Sequence, residues 1–505
     1  MTPWAPVPPG PGGPPIGSTG DRTRPDVVHL CAEYWPFVRT GGLAEAVSGL
    51  AGYQQADGSR VSVVVPLHRA ARRVAGELVP VGDPFAVQLG ETTEAARLMR
   101  QASPPDEGPA VYFLDHHSYF DREGVYGENG EDYPDNARRF AFFSLAAVVA
   151  LPRLAAAPVV LHAHDWHTAL SLVYLRTAFA GRPFHDHTAA VLSVHNAGFQ
   201  GHFPFRILRE VGLPESVYHW NFMEWYGRVN FLKGGLVSAD MVTTVSPTHA
   251  FELRTEGGGF GLHDAFRGLR DRLVGILNGI DNRHWDPSTD PHIPARYSPG
   301  DLAGKAVCKA ATQRTFNLPE DPDIPLVAMA ARLVHQKGLD LILNSRIVTG
   351  DSRAQFVFLG TGEGRFESAL GILARGSRRI SAQLFFSDEA EHRLIAGADA
   401  LLMPSLYEPC GLTQMRAQRY GAIPVARRVG GLADTIEDGV TGILFPGYSP
   451  GDLDVALERM LARYSDPPGW REMMSNAMAT DFGWERAAAR YFDLYHRALV
   501  RRQTA

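Results

Sequence analysis

Short apolar runs that end in polar residues, each followed by a stretch with helical spacing, recur in two series along this chain. From Asp26 the run VVHLCAEYWP leads into Thr40-Gly41-Gly42, then LAEAVSGLAGYQQ, then VSVVVP; AVYFLDHH, PVVLHAHDW and AAVLSVHN repeat the pattern. A second series opens near Leu273 with LVGILNGID and continues through PLVAMAARL, AQFVFLG, AQLFFS, ALLMPS and IPVARR. Continuous apolar strands alternating with helices mark doubly wound parallel sheets whose two faces are both buried. The expected fold is α/β, with two Rossmann-like doubly wound domains at 26–273 and 274–478. In the segment 479–501, Phe482, Ala488, Tyr491, Leu494 and Tyr495 recur at helical intervals, which predicts a helix crossing back onto the first domain. Two facing sheets leave a cleft between them, and open α/β sheets bind ligands at the carboxyl ends of their strands.

Residues 1–25 are rich in Pro and Gly and lack a basic start and an apolar core, so they read as a disordered tail rather than a signal peptide. The apolar stretch from Phe140 to Leu151 is too short to span a bilayer and predicts a buried core helix. Lys plus Arg number 49 against 55 Asp plus Glu, a net charge of −6, so no overall basic field exists to hold nucleic acid or a membrane surface. Cys31, Cys308 and Cys410 are far apart and without CxxC spacing, which argues against a disulfide framework or a zinc site and fits a cytoplasmic protein.

Residues 404–415, PSLYEPCGLTQM, carry the sharpest chemical signal. Glu408 stands beside Gly411, Leu412 and Thr413, whose free N–H groups open the next helix and make an anion site. A carboxylate next to a phosphate cradle suits a positively charged intermediate lying between the two, as in glycosyl transfer from a nucleotide sugar. Arg332 and Lys337, in AARLVHQKGLD, are two cations after a strand that can stabilise a departing diphosphate, although on spacing alone a solvated basic loop reads equally well. Gly41 and Gly42 allow close backbone approach to a phosphate or sugar, with Arg39 beside them. The run His162-Ala163-His164-Asp165-Trp166-His167 invites a metal reading, but strand side chains alternate between faces and cannot all reach one ion. A sugar wall built from Asp165, Trp166 and the imidazoles, joined by His195-Asn196 at the next strand end, reads better. Gly360-Thr361-Gly362-Glu363-Gly364 lacks the GK[ST] ending of a P-loop and reads as a turn near the donor. Val429-Gly430-Gly431-Leu432-Ala433-Asp434-Thr435 reads first as close packing of backbone on its neighbours, with a cleft role competing once the EPCGLTQ segment upstream is considered.

In this order, HLCAEYWPFVRTGGLAEAV, YPDNARRF, HAHDWHTAL, SVHNAGFQGHF, FLKGGLVSADMVTTVSPTHA, GILNGIDNRHWDP, ARLVHQKGLDLI, PSLYEPCGLTQ and RRVGGLADTI resemble the bacterial glycogen synthase and plant starch synthase family, over nearly the whole chain from about residue 26 to 500. The resemblance implies a GT-B fold, a first domain on the acceptor side, a second that binds the nucleotide sugar, and retaining transfer of glucose from ADP-glucose to an α-1,4-glucan. It implies no metal and no cofactor. Carried onto this chain, it makes Glu408, His195, Arg332, Lys337 and Asp165 catalytic. Arg39, Gly41, Gly42, Asn278, Phe386, Gly411, Leu412 and Thr413 would bind the donor, and Tyr126, Asn136, Arg139 and Asn196 would line the sugar and acceptor cleft.

Two positions depart from the family pattern. The family's KTGGL is RTGGL here, which exchanges a point ammonium for the planar fork of Arg39. Where the family has Gly-Tyr, this chain has Phe385-Phe386, and the bulk of Phe385 bears on nucleotide preference. Alternatives are a relative that uses UDP-glucose or a small maltooligosaccharide acceptor, or a glucan-binding protein without turnover.

Overall fold

The computed structural model describes residues 24–504 apart from 106, 129, 351 and 352; the Pro/Gly-rich tail, residues 24 and 25 aside, lies outside the described residues. The first sheet has seven parallel strands in the order Leu273–Gly275, Met241–Thr244, Ala189–Val194, Val159–His164, Asp26–Leu30, Val61–Pro66 and Ala110–Asp115. Antiparallel strands Thr92–Gln101, Leu78–Pro80 and Phe85–Leu89 extend one edge. The second sheet is parallel throughout: Ile380–Gln383, Gln355–Leu359, Leu326–Ala330, Ala400–Met403, Ile423–Arg427 and Ile443–Phe445.

In each sheet the winding reverses once, and each reversal faces the cleft. In the first it lies between Asp26–Leu30 and Val159–His164, and in the second between Leu326–Ala330 and Ala400–Met403. Loops leaving such neighbouring strands diverge to opposite faces and open a crevice between them. The segments singled out by the sequence, after Leu30, His164, Ala330 and Met403, are these loops.

The Phe140 to Leu151 stretch forms most of the helix Asn136–Leu154, whose residues from Phe140 through Val148 are all buried. The helix Trp484–Thr504 returns to the first sheet, where Trp484, Tyr491, Leu494, Tyr495 and Ala498 pack on Val27, Val160, Val191 and Met241. This contact needs a small residue opposite Trp484: a Cβ at Gly49 would sit 2.3 Å from the indole Nε1. One expectation is corrected. Leu273–Gly275, read as opening the second domain, pairs with Met241–Thr244 and closes the first sheet, so a boundary at 273/274 cuts through a strand. Its three residues extend an existing parallel edge before the chain leaves at Ile276, whose amide still bonds the Thr244 carbonyl.

Candidate active site

A cleft of about 1050 Å³ lies between the two sheets and draws on both. From the second sheet come Arg332, Lys337, Phe386, Glu408, Gly411, Leu412 and Thr413, and from the first Arg39, Gly41, Gly42, Tyr126, Asn136, Asp165, His195 and Asn196, with Asn278 between them. Thus the structure brings together every site residue expected from the sequence except Arg139.

Glu408 is 6% exposed and accepts from Lys337 Nζ at 2.6 Å and from Ser405 Oγ at 3.0 Å. The two partners leave the carboxyl ends of neighbouring strands, which is why a pair 71 residues apart in sequence meets here. Arg332 is exposed to the cleft, and its guanidinium has no hydrogen bond or ion pair among the described residues. A carboxylate, a cation bound to it and a second cation without a counterion therefore share one wall. The helix Thr413–Arg419 starts beside them. Behind this wall Gly430 and Gly431 pack against the Glu408 loop; a Cβ at Gly431 would lie 2.0 Å from the Cys410 carbonyl oxygen, and the Gly431 N–H donates to the Glu408 carbonyl at 3.0 Å. These glycines buttress the loop, as the close-packing reading expects.

On the opposite wall Asp165 adopts φ 58, ψ −176, a strained backbone for a residue with a side chain. It is held by its own carboxylate, whose Oδ1 accepts the backbone N–H of His195 at 2.7 Å and of Asn196 at 3.3 Å. Burial lifts this carboxyl to about 7, opposed by those two N–H donors. The tie fixes one strand end against the next and sets the position of His195.

Arg139 is fully buried and not in the cleft: it donates to the Tyr119 carbonyl at 2.7 Å, Asn136 Oδ1 at 2.6 Å and the Val125 carbonyl at 3.1 Å. Lying three residues along the helix from Asn136, it points beneath the cleft floor and orients Asn136, whose amide in turn donates to the Tyr126 carbonyl at 2.8 Å. Burial lowers its guanidinium to about 10, so it stays charged at neutral pH.

Sequence reasoning missed Glu33. This carboxylate is 2% exposed, accepts from the Thr40 and Gly41 backbone and the Thr40 hydroxyl, and takes the Tyr126 O–H at 2.5 Å. It holds the Gly41-Gly42 loop in place. Its signal was present, an acidic residue just past a strand end in CAEYWP, but a single carboxylate has no spacing partner. Also missed was a charged bridge between the domains. Arg416 is buried between Glu391 Oε1 at 2.9 Å and Glu45 of the opposite wall, with its Cζ 4.3 Å from the centroid of Trp285. Arg39 joins Glu45 at 2.9 Å to Asp388 at 2.8 Å and lies over Phe386. Phe386 lines the cleft, whereas Phe385, 48% exposed, does not, so the bulk expected beside the base lies outside it.

The histidine run separates. His162 and His164 share a sheet face with His29, while His167 stacks on Tyr126 near the cleft at 4.6 Å between ring centroids. Nitrogens of His29, His162 and His164 lie within 4.8 Å of one another, but all six ring nitrogens of the three already have hydrogen-bond partners. Cys31, Cys308 and Cys410 are free and buried, and burial pushes the Cys410 thiol up to about 12, so it is unreactive at neutral pH.

Two facing doubly wound domains, a cleft at both winding reversals and a helix returning to the first domain define a GT-B glycosyltransferase. A family model described as starch synthase catalytic domain matches residues 26–268, and one described as glycosyl transferases group 1 matches 312–477. The glycogen synthase of Syntrophotalea carbinolica is 40% identical over 481 residues, 94% of this chain and 99% of the relative. That of Anaeromyxobacter sp. strain Fw109-5 is 43% identical over 477 residues, 93% of this chain and 98% of the relative. The catalytic domain of starch synthase IV from Arabidopsis thaliana, solved bound to ADP and acarbose, superposes with a TM-score of 0.85 at 31% identity, covering 95% of this chain and all of that one. The chain belongs to the glycogen and starch synthase family, retaining glucosyltransferases that act on a nucleotide-sugar donor and extend an α-glucan. Among the described residues no helix is long and apolar enough to cross a membrane.

Proposed function

We propose that this cleft transfers glucose from ADP-glucose to the 4-hydroxyl at the non-reducing end of an α-1,4-glucan. The observation that carries the proposal is the meeting of Glu408, Lys337 and the unpaired Arg332 on one wall, opposite Asp165 and His195. An incoming diphosphate competes for the Lys337 ammonium and binds the free Arg332, with the N–H groups of Gly411, Leu412 and Thr413 and the Thr413 hydroxyl completing its cradle. Glu408, released in part from Lys337, faces the sugar. As the C1–O bond to the diphosphate breaks, positive charge develops at the sugar and negative charge at the leaving phosphate; Glu408 stabilises the first, Arg332 and Lys337 the second.

Retention by double displacement requires a second carboxylate as nucleophile about 5 Å from the first. Asp165 is tied to the His195 and Asn196 amides and serves placement instead. A front-face reaction fits better: the acceptor 4-oxygen bonds to C1 on the face the phosphate leaves, and its proton passes to the departing phosphate oxygen. Phe386 stacks on the base, Gly41, Gly42 and Asn278 admit the phosphates, and Tyr126, Asn136 and Asn196 line the sugar side. Arg332 and Lys337 supply the positive charge at the leaving group, so the reaction needs no resident metal, and chelation is expected to leave the rate unchanged. Buried free thiols fit a cytoplasmic setting.

Initial rates with ADP-glucose and UDP-glucose in parallel, on glycogen and on maltooligosaccharides, test the reading. The expected result is transfer from ADP-glucose at least about tenfold faster than from UDP-glucose, a difference of about 1.4 kcal/mol in transition-state binding. Equal or reversed rates overturn the donor assignment, and no transfer from either donor leaves a glucan-binding role.

A further inference from the structure

Behind His195 a line of buried polar side chains runs through the first domain to the returning C-terminal helix. His195 Nε2 lies 3.0 Å from His164 Nδ1, and His164 Nε2 lies 3.0 Å from His29 Nδ1. His29 Nε2 lies 2.8 Å from Gln54 Oε1, and Gln54 Nε2 donates to the Tyr495 hydroxyl at 2.9 Å. Tyr495 Oη also lies 2.8 Å from His162 Nδ1. Strands Asp26–Leu30 and Val159–His164 supply His29 and His164, and Gln54 comes from the helix Gly42–Ala56 behind the Gly41-Gly42 loop. His29, Gln54, His162 and His164 are each at most 1% exposed, so water cannot substitute for any link.

The direction of every bond in this line follows from its far end. Gln54 donates its amide N–H to Tyr495, which leaves its carbonyl oxygen toward His29, and a carbonyl only accepts. His29 must then carry its proton on Nε2 and accept at Nδ1. His164 accordingly carries its proton on Nε2 to serve His29, and accepts at Nδ1. His195 must do the same. Its Nδ1 then has no proton and no partner among the described residues, and the residue lines the cleft. Neutrality of the rings supports this, since burial holds His29 and His195 down to about 4 and His164 well below the ordinary imidazole range.

We propose that Gln54, anchored by Tyr495, is a positioning residue that sets the tautomer of His195 through His29 and His164, so that an unprotonated Nδ1 faces the sugar pocket. That nitrogen accepts a hydrogen bond from a hydroxyl of the donor sugar and repels a carboxylate at the same place, which makes it a determinant for a neutral hexose. A neutral imidazole offering a lone pair also tolerates positive charge developing nearby, as an imidazolium would not. The inference rests on the placing of His195 against the donor sugar proposed above, but its first test does not depend on turnover.

Two-bond 1H–15N correlation spectra of the full-length protein labelled in histidine, assigned by single His substitutions, distinguish protonated from unprotonated ring nitrogens. The expected result at neutral pH is the Nε2–H form for His29, His164 and His195. An Nδ1–H form at His195 would mean that the Gln54 amide is turned over, and would overturn the proposal whatever the enzyme's activity. Gln54→Met removes the acceptor that polarises the line, whereas Gln54→Glu keeps an acceptor toward His29. Gln54→Met is expected to give mixed tautomers at His195 and a fall in kcat of about tenfold or more with donor KM changed less. Gln54→Glu is expected to retain the Nε2–H form and most of kcat. If Gln54→Met keeps both the tautomer and kcat, Gln54 does not set the ring; if the variant does not fold, the spectrum of the unmodified protein decides alone.

Discussion

Acidification should destabilise this protein through His29. The ring is 0% exposed, and burial lowers it from the ordinary 6.5 to about 4, with the Gln54 hydrogen bond acting in the opposite direction. Below pH 6.5 the unfolded chain takes up a proton at this position that the folded chain refuses until about pH 4. Because the folded value is depressed, the contribution to stability is complete above 6.5 and is lost as pH falls from 6.5 toward 4. At 1.36 kcal/mol per pH unit the full loss is about 3 kcal/mol, of which about 2 kcal/mol falls between roughly pH 7.5 and 5. The perturbation is His29→Gln, which keeps a polar side chain and removes the titration. Urea unfolding of both proteins across that range, followed by tryptophan fluorescence and circular dichroism, reads the difference. The wild type should lose about 2 kcal/mol more than the variant over the range, even if the variant is less stable at every pH. Parallel pH profiles would show that His29 is not held neutral and would refute the reasoning.

Three further substitutions separate roles that the sequence could not. Arg39→Lys keeps the charge, which reaches both Glu45 and Asp388 through the single nitrogen Nη1, but loses the planar guanidinium lying over Phe386; these partly exposed pairs contribute little stability, so thermal unfolding should be unchanged while donor KM rises about three- to tenfold, and identical kinetics would make the exchange neutral. Arg139→Met breaks three hydrogen bonds, two of them buried, and strands their acceptors; a loss of about 3–5 kcal/mol in urea unfolding is expected, with acceptor KM little changed in the folded fraction, whereas a stable variant with weakened acceptor binding would return Arg139 to the cleft. Gly431→Ala forces a Cβ onto the Cys410 carbonyl; kcat should fall about tenfold or more while donor affinity changes less, and full activity would show that the loop carrying Glu408 yields freely.

What the sequence could reveal depended on whether a signal was local. Strand runs, the returning helix and the Glu408 segment are local patterns, and once two doubly wound sheets are assumed the winding reversals bring Arg332, Lys337 and Glu408 together. Arg139 was misplaced because a motif residue one turn from Asn136 looks the same whether it faces the cleft or lies beneath it, and only packing decides. Leu273–Gly275 was given to the wrong sheet because a three-residue strand carries no mark of its neighbour. The Glu45–Arg416–Glu391 bridge joins residues from distant segments, and no single-sequence pattern connects them. The imidazole line was partly visible in HAHDWH, but its direction is set by Gln54 and Tyr495, which nothing in the sequence ties to it.

The central claim is that Glu408 acts on the transition state rather than in binding the donor. Glu408→Gln keeps the shape and the Ser405 contact and removes the charge facing the sugar and Lys337. Incorporation of labelled glucose from ADP-glucose into glycogen, measured beside ADP-glucose affinity by calorimetry, reads both quantities in one protein. The account predicts a loss of kcat of at least about a hundredfold, near 3 kcal/mol of transition-state stabilisation, with donor affinity within a few-fold of wild type. Near-wild-type turnover in Glu408→Gln would contradict it.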